Sequence, residues 1–198
     1  MDLGLSEEQE MLKKSARGFL QKECPKRLVR QLDDSDEGYS MGLWRRMAEL
    51  GWMGLAFPEK YGGSGRSFLD LAILLEEMGY NIVPGPFFPT VVLGGLAILV
   101  AGSEEQKMEF LPRIARGEMI LSLALTEPSA SYDAASIKTK AIARDGGYVI
   151  TGTKLFVLNA NTADYIVCIA RTKETTDPED GITAFIVDAK DRGLTCTL

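Results

Sequence analysis

The stretch LSLALTEPSASYD, residues 121–133, changes character in its middle. Leucines at every second position up to Leu125 are typical of a β-strand that buries one face. After Thr126 come a carboxylate, a proline and a run of small or hydroxylated residues, a composition typical of a turn in which Asp133 can cap the following segment. The stretch therefore predicts a strand that ends in a turn displaying many hydrogen-bonding groups.

Upstream of residue 120, apolar residues recur at helical spacing behind recognisable start signals. Four serines stand in N-cap positions: Ser6, Ser40, Ser67 and Ser103. We expect the first helix to span about 7–23 and to stop before Pro25. Glycines 51 and 79 are expected to close the helices that begin after Ser40 and Ser67. Pro112 is expected to kink or restart the helix that follows Ser103.

Two segments between these helices have unusual composition. The stretch 57–67, FPEKYGGSGRS, is rich in residues that break regular structure and predicts a loop. Residues 82–101 carry no charge, as a membrane span would. Their three prolines restrict a helix to about 90–101, which at ~1.5 Å per residue is roughly 18 Å against ~30 Å of hydrocarbon. A buried core helix without membrane insertion is therefore expected.

Downstream of residue 120 the period becomes two, which predicts strands. The turn at 145–147 joins 137–144 to 148–157 as a hairpin, and further strands are expected at 164–171, at 182–188 and from Gly193. Helices followed by strands predict an α+β protein, with an all-α domain at 1–119 and a small, incomplete β-barrel domain at 120–198. Its open edges and apolar face would need more chain or a partner to cover them.

Composition excludes several classes of function. The formal net charge is −6, with no basic block, which argues against nucleic-acid binding. The chain has no histidine, which removes histidine-dependent triads and most zinc sites, and no metal constellation is visible. Proton chemistry near neutral pH would need a carboxylate, Lys, Tyr or Cys instead.

Three scattered cysteines and the first residues bear on the compartment. Cys24, Cys168 and Cys196 lack metal-like spacing, which indicates free thiols in a reduced environment. The N-terminus has neither the apolar core of a secretory signal nor the composition of a transit peptide. A cytoplasmic protein is expected.

Four landmarks occur in an order that resembles the acyl-CoA dehydrogenase family: FPEKYGGSG (57–65), GSEEQKMEFLPRIARGE (102–118), ALTEPSASYD (124–133) and GTKLFVLNANTADYIVCIAR (152–171). The resemblance covers essentially the whole chain. It implies an α-helical N-terminal domain, a middle β-barrel and a C-terminal four-helix domain, with FAD held between barrel and helices. It also implies oxidation of acyl-CoA thioesters to 2,3-enoyl products in fatty acid metabolism, by a homo- or hetero-oligomer.

The resemblance also implies which residues contact FAD. The strand with Leu123, Leu125 and Thr126 would run along the flavin, and the Thr126 hydroxyl and nearby backbone N–H groups would satisfy its pyrimidine edge. Phe156 would lie against the isoalloxazine, followed by Val157 and Leu158. Without the resemblance, burial statistics favour Phe156 and Val157 as core strand residues. Phe87, Phe88 and nearby glycines would border the acyl pocket.

Three positions depart from the family pattern. Ser131 replaces a glycine that lets backbone approach the ligand, and Tyr132 replaces a serine. The Tyr132 ring would enter the volume used by the cofactor phosphates or by the substrate thioester, which makes it a candidate for both contacts. Leu158 replaces the hydroxyl residue expected beside flavin N5. Together these changes predict weakened, altered or absent flavin binding.

The resemblance assigns no catalytic residue to these 198 residues. The family base is a glutamate of the C-terminal helical domain, and the family counterpart of Glu127 is structural. We therefore expect this chain to be inactive by itself as an acyl-CoA dehydrogenase. One alternative is a degenerate subunit or interaction module of a heteromeric dehydrogenase with impaired flavin binding. Another is a flavin oxidase or monooxygenase on the same scaffold.

Overall fold

The computed structural model describes residues 4–177 and 179–198. The chain divides into two compact units, Met1–Met119 and Ile120–Leu198. Among the described residues, the first unit is helical and every strand lies in the second. This is the α+β organisation that the change of sequence period predicts.

The first unit contains six α-helices among the described residues. They are α1 (Glu7–Glu23), α2 (Lys26–Asp33), α3 (Met41–Glu49), α4 (Phe68–Tyr80), α5 (Leu96–Ala101) and α6 (Glu104–Ala115), with 3-10 turns at Trp52–Gly54 and Glu59–Tyr61 and a π-helix at Phe88–Gly95. All four predicted serine caps are confirmed, because each hydroxyl accepts a backbone N–H of the first helical turn. At Ser6, Ser67 and Ser103 the reciprocal capping box also forms.

Several helix boundaries differ from the sequence-based expectation. Helix α2 was not predicted, although Leu28, Val29 and Leu32 recur on one of its faces at helical spacing; these three side chains are only half-buried in the structure. Helix α4 continues through Gly79 because Asn81 closes it, bonding the Glu77 carbonyl through its side-chain amide at 2.8 Å. Helix α6 does not restart at Pro112. Its neighbours Leu111 and Ile114 are fully buried, and this packing offsets the hydrogen bond that proline cannot donate.

The apolar segment predicted as one helix over 90–101 contains two kinds of helix. Residues Phe88–Gly95 form a π-helix, and α5 continues from Leu96. Val91 and Ile98 are buried in the first unit, as a core helix requires, whereas Val100 at the C-terminal end of the segment is 82% exposed, so the predicted core position is confirmed only in part. Among the described residues no helix combines the length and apolar character needed to cross a membrane.

The second unit is a mixed five-stranded sheet. Its strands are β1 (Leu121–Ala124), β2 (Lys140–Arg144), β3 (Gly147–Thr151), β4 (Tyr165–Arg171) and β5 (Ile182–Asp188). Strand β4 is central: it pairs in parallel with β1 and antiparallel with β5, and Arg171 at its end meets Lys140 of β2. Among the described residues the strand pairs do not close the β1-β4-β2-β3 path into a barrel.

The hairpin and the strand ends test the turn predictions. Asp145 and Gly146 both have positive φ, 50° and 80°, as a two-residue hairpin turn requires. The strands flanking this turn are shorter than predicted, since β2 begins at Lys140 and β3 ends at Thr151. The prediction of a last strand starting at Gly193 is wrong. Asp191 accepts the Gly193 N–H through its side chain at 2.7 Å and closes a turn there.

The three cysteines are free thiols, as expected. Cys24 and Cys168 are buried, whereas Cys196 is exposed. Burial raises the pKa of both buried thiols, which keeps them protonated and unreactive at neutral pH.

Candidate functional site

Two segments of the second unit contain most of the residues assigned to FAD. The turn segment, residues 125–132, follows β1, and the loop segment, residues 152–159, follows β3. The Leu155 N–H donates to the Thr126 carbonyl at 2.8 Å. At the other end of the loop segment, the Ser122 hydroxyl donates to the Leu158 carbonyl at 2.5 Å. The structure thus places the two predicted segments side by side.

A buried ion pair joins these segments. The Lys154 ammonium lies 2.9 Å from the Glu127 carboxylate, and their side chains are only 9% and 6% exposed. Lys154 also donates to the Leu125 carbonyl at 3.0 Å. The two Glu127 oxygens accept the backbone N–H groups of Lys138 and Thr139 at 2.8 and 2.9 Å. Glu127 therefore connects the turn segment, the loop segment and the approach to β2, which fits the structural role expected for it.

Hydrogen bonding keeps Glu127 ionised. Burial by itself would raise the pKa of this carboxyl, but interactions with Thr139, with the Lys154 ammonium and with the two backbone N–H groups lower it to about 2. The Thr139 hydroxyl makes no hydrogen bond of ordinary geometry within the described part of the chain, so the ammonium and the two backbone N–H groups provide the hydrogen bonds that the carboxylate accepts. A carboxylate held in this way is a poor general base at neutral pH.

This pKa leads to a prediction for acid stability. The folded-state pKa, about 2, lies below the ordinary value of 4.5, so the stabilisation is present above about pH 4.5 and is lost as the pH falls towards 2. We expect the free energy of unfolding of the second unit to fall by roughly 3 kcal/mol over this window through Glu127. Urea unfolding at a series of pH values, followed by hydrogen exchange of peptides from 121–171, measures it. A Glu127→Gln variant with the same pH dependence would contradict the assignment.

The eight residues that the family resemblance assigns to FAD contact differ in their solvent exposure. Tyr132 and Phe156 are each 81% exposed, and Leu158 is 51% exposed. The remaining five are half-buried: Leu123, Leu125, Thr126, Ser131 and Val157. The interpretation of Phe156 as a core strand residue is therefore wrong, because the strand has ended before it and its ring lies on the surface.

Phe156 also has an unusual backbone. Its φ is +54°, a left-handed conformation that is a genuine outlier for a bulky residue. Such strained positions cluster at ligand sites. Within residues 4–177 and 179–198, the nearby Thr126 hydroxyl makes no hydrogen bond. An exposed aromatic face and an available hydroxyl are compatible with the flat ring of a flavin and with its polar edge, whereas Leu158 offers that ring no hydrogen bond.

The turn segment presents Tyr132 to solvent. Ser131 accepts the Asp133 N–H at 3.1 Å, and Asp133 accepts the Ala135 N–H at 2.9 Å, capping the 3-10 turn Ala134–Ser136. The predicted cap at Asp133 is therefore confirmed. Because these bonds involve Ser131 and Asp133, the phenol between them is left outside the sheet.

The first unit contains a separate apolar groove. It has a volume of about 630 Å³, and its lining includes Phe87, Phe88, Gly79 and Gly85. The two phenylalanines and the nearby glycines are the residues expected to border an acyl pocket. Val29 and Leu32 of α2 also line the groove, and they were missed because α2 was not among the predicted helices.

Sequence reasoning also missed Ser122 and the role of Lys154. Ser122 alternates with the leucines of β1 and so looks like an ordinary outward strand residue, yet it is fully buried. One signal could have found Lys154. It is the cation that directly precedes the apolar run 155–158, and Glu127 is the only carboxylate in the stretch 119–132, so a buried position for both would require them to pair.

Comparison with family models matches both units. The model described as "Acyl-CoA dehydrogenase, N-terminal domain" matches residues 6–118, and the one described as "Acyl-CoA dehydrogenase, middle domain" matches residues 122–197. A curated relative, the probable acyl-CoA dehydrogenase YngJ of Bacillus subtilis, is 36% identical over 100% of this chain and 52% of its own length. The chain spans about half the length of the curated relatives it matches.

Comparison with solved structures indicates the same family. An acyl-CoA dehydrogenase complexed with FAD from Bacillus anthracis has a TM-score of 0.84 and 31% identity, over 98% of this chain and 33% of that one. The ChsE4-ChsE5 complex from Mycobacterium tuberculosis has a TM-score of 0.87 and 26% identity, over 100% of this chain and 51% of that one. These matches to both units, at these identities and along the whole sequence, show that the chain belongs to the acyl-CoA dehydrogenase family.

Proposed function

We propose that this chain is the FAD-facing part of an acyl-CoA dehydrogenase, which oxidises acyl-CoA thioesters to α,β-unsaturated products. The observation that carries the proposal is the left-handed, exposed Phe156, which directly follows Leu155, the residue whose N–H donates to the Thr126 carbonyl. FAD, when bound, supplies the ring that accepts a hydride. In this proposal Phe156 covers one face of the ring, and Thr126 donates a hydrogen bond to its edge, where negative charge develops.

The proposal also assigns the site of the acyl chain and the source of the base that removes the substrate α-proton. The apolar groove beside Phe87 and Phe88 has the size of a small-molecule site, and we assign it to the acyl chain. Glu127 is held by Lys154 and two backbone N–H groups, so it cannot abstract the substrate α-proton. We assign that step to a carboxylate outside these 198 residues and expect the chain by itself to show no dehydrogenase activity.

Titration with FAD, followed through the visible absorbance of the flavin, tests this site. Removing one hydrogen bond costs about 1 kcal/mol, so Thr126→Val is expected to weaken FAD binding about fivefold. Leu158→Thr restores a hydroxyl at a half-exposed position and is expected to strengthen binding by a similar factor. Thr151→Val, at an exposed position of β3, is the matched control and should change nothing. Equal affinity in all four proteins would contradict the site.

The alternative is a non-catalytic subunit of a heteromeric dehydrogenase. The departures at Ser131, Tyr132 and Leu158 favour it, and one solved neighbour is a complex of two named proteins. Under this alternative, purified wild-type chain and the Leu158→Thr variant both fail to bind added FAD. Native mass spectrometry would then find the chain with a different dehydrogenase subunit rather than with copies of itself.

A further inference from the structure

The strained backbone at Phe156 needs something to hold it. A left-handed conformation is unfavourable for a residue with a bulky side chain, and the Phe156 ring is 81% exposed. Burial of that ring in the second unit therefore contributes little towards offsetting the strain. The restraint has to come from the residues on either side.

Hydrogen bonds restrain the chain on both sides of Phe156. On the N-terminal side, Leu155 donates to the Thr126 carbonyl, and the Lys154 ammonium donates to the Leu125 carbonyl and to Glu127. On the C-terminal side, the fully buried Ser122 hydroxyl donates to the Leu158 carbonyl at 2.5 Å. The left-handed Phe156 lies between these two anchors, whereas Asn159, the other left-handed residue of the loop segment, lies just beyond the second one.

We propose that Lys154 and Ser122 are positioning residues, which together hold Phe156 left-handed and fix the plane that its ring offers to FAD. Neither side chain needs to touch the cofactor. Both are almost fully buried, and both act through the backbone of the loop segment. The inference rests on the function proposed above for the role of FAD, but the restraint on Phe156 is a property of the chain alone.

The first experiment compares Lys154→Met and Ser122→Ala with wild type by FAD titration and by hydrogen exchange of the Leu155 amide. Each variant is expected to weaken FAD binding about tenfold, equivalent to ~1.4 kcal/mol, and to speed Leu155 exchange at least about tenfold. Lys140→Met is the matched control, since it removes the exposed ion pair with Glu174 in the same unit, and it should change neither quantity. Lys154→Met leaves the Glu127 carboxylate buried without its counter-charge, whereas Ser122→Ala leaves no unpaired charge. Ser122→Ala therefore decides the test if Lys154→Met does not fold.

A double-mutant cycle separates positioning from general stabilisation. Phe156→Gly removes the left-handed strain, so it is expected to raise the unfolding midpoint of the second unit by about 4 °C despite the lost ring. In the Lys154→Met background the loop has already relaxed, and the same substitution should give little gain. Additive effects of the two substitutions would overturn the inference.

Failure of the inference can be told apart from failure of the proposed function. Absence of FAD binding to the wild-type chain would refute the function, whereas the Leu155 exchange rates and the cycle would still decide whether Phe156 is restrained. Wild-type binding with unchanged affinity in both positioning variants would overturn the inference and leave the function standing.

Discussion

Replacing Glu127 by glutamine is expected to lower the free energy of unfolding of the second unit by about 3 kcal/mol, because it leaves the Lys154 ammonium buried without a counter-charge. The amide would also turn an N–H group towards one of the backbone donors that the carboxylate now accepts. One of the three hydrogen bonds that the carboxylate accepts is thus replaced by a repulsive contact, and the Lys154 ammonium loses its counter-charge. The effect is large because water has little access to these side chains, which are only 9% and 6% exposed.

The control for Glu127→Gln is the same substitution at an exposed glutamate, and unfolding of the two units is followed separately. Glu174→Gln breaks an exposed pair with Lys140 and should cost under about 1 kcal/mol. Both tryptophans, Trp44 and Trp52, lie in the first unit. Their fluorescence reports unfolding of that unit, while hydrogen exchange of peptides from 121–171 reports the sheet. Equal losses of sheet stability in Glu127→Gln and Glu174→Gln would refute the importance of the buried pair.

Replacing Gly63 by alanine is expected to destabilise the first unit by about 3 kcal/mol through steric overlap. A Cβ at this position would lie 2.1 Å from the Phe57 carbonyl oxygen and 2.5 Å from that of Gly54. Both are backbone atoms that take part in the hydrogen bonds of this loop. The neighbouring chain cannot give way without breaking them.

Tryptophan fluorescence during urea unfolding measures this loss. Gly18→Ala is the control, since Gly18 lies within α1 and an added Cβ there meets nothing within 4 Å. That substitution should stabilise the unit by about 0.5–1 kcal/mol, because alanine is the better helix former. If Gly63→Ala unfolds at the same urea concentration as wild type, the close approach of backbone in the 57–65 loop is not as tight as the structure indicates.

Sequence alone determined the features that depend on near neighbours in the chain. Serine caps at Ser6, Ser67 and Ser103 form because donor and acceptor are only three residues apart. The Asp145–Gly146 hairpin forms for the same reason, since its backbone conformation is available to these two residues locally. The family resemblance then identified the two segments that meet beside Thr126, although no local pattern requires that meeting.

Only the tertiary structure decided how those segments are held and what they expose. Lys154 and Glu127 are 27 residues apart, and Ser122 reaches a carbonyl 36 residues away, distances over which sequence periodicity carries no information. Strand β3 ends at Thr151, and Phe156 is left-handed and exposed in the segment that these long-range bonds anchor. We infer that buried hydrogen bonds to distant partners here outweigh the strand preference of the residues themselves, so that a residue with the sequence signature of a core strand position is exposed instead.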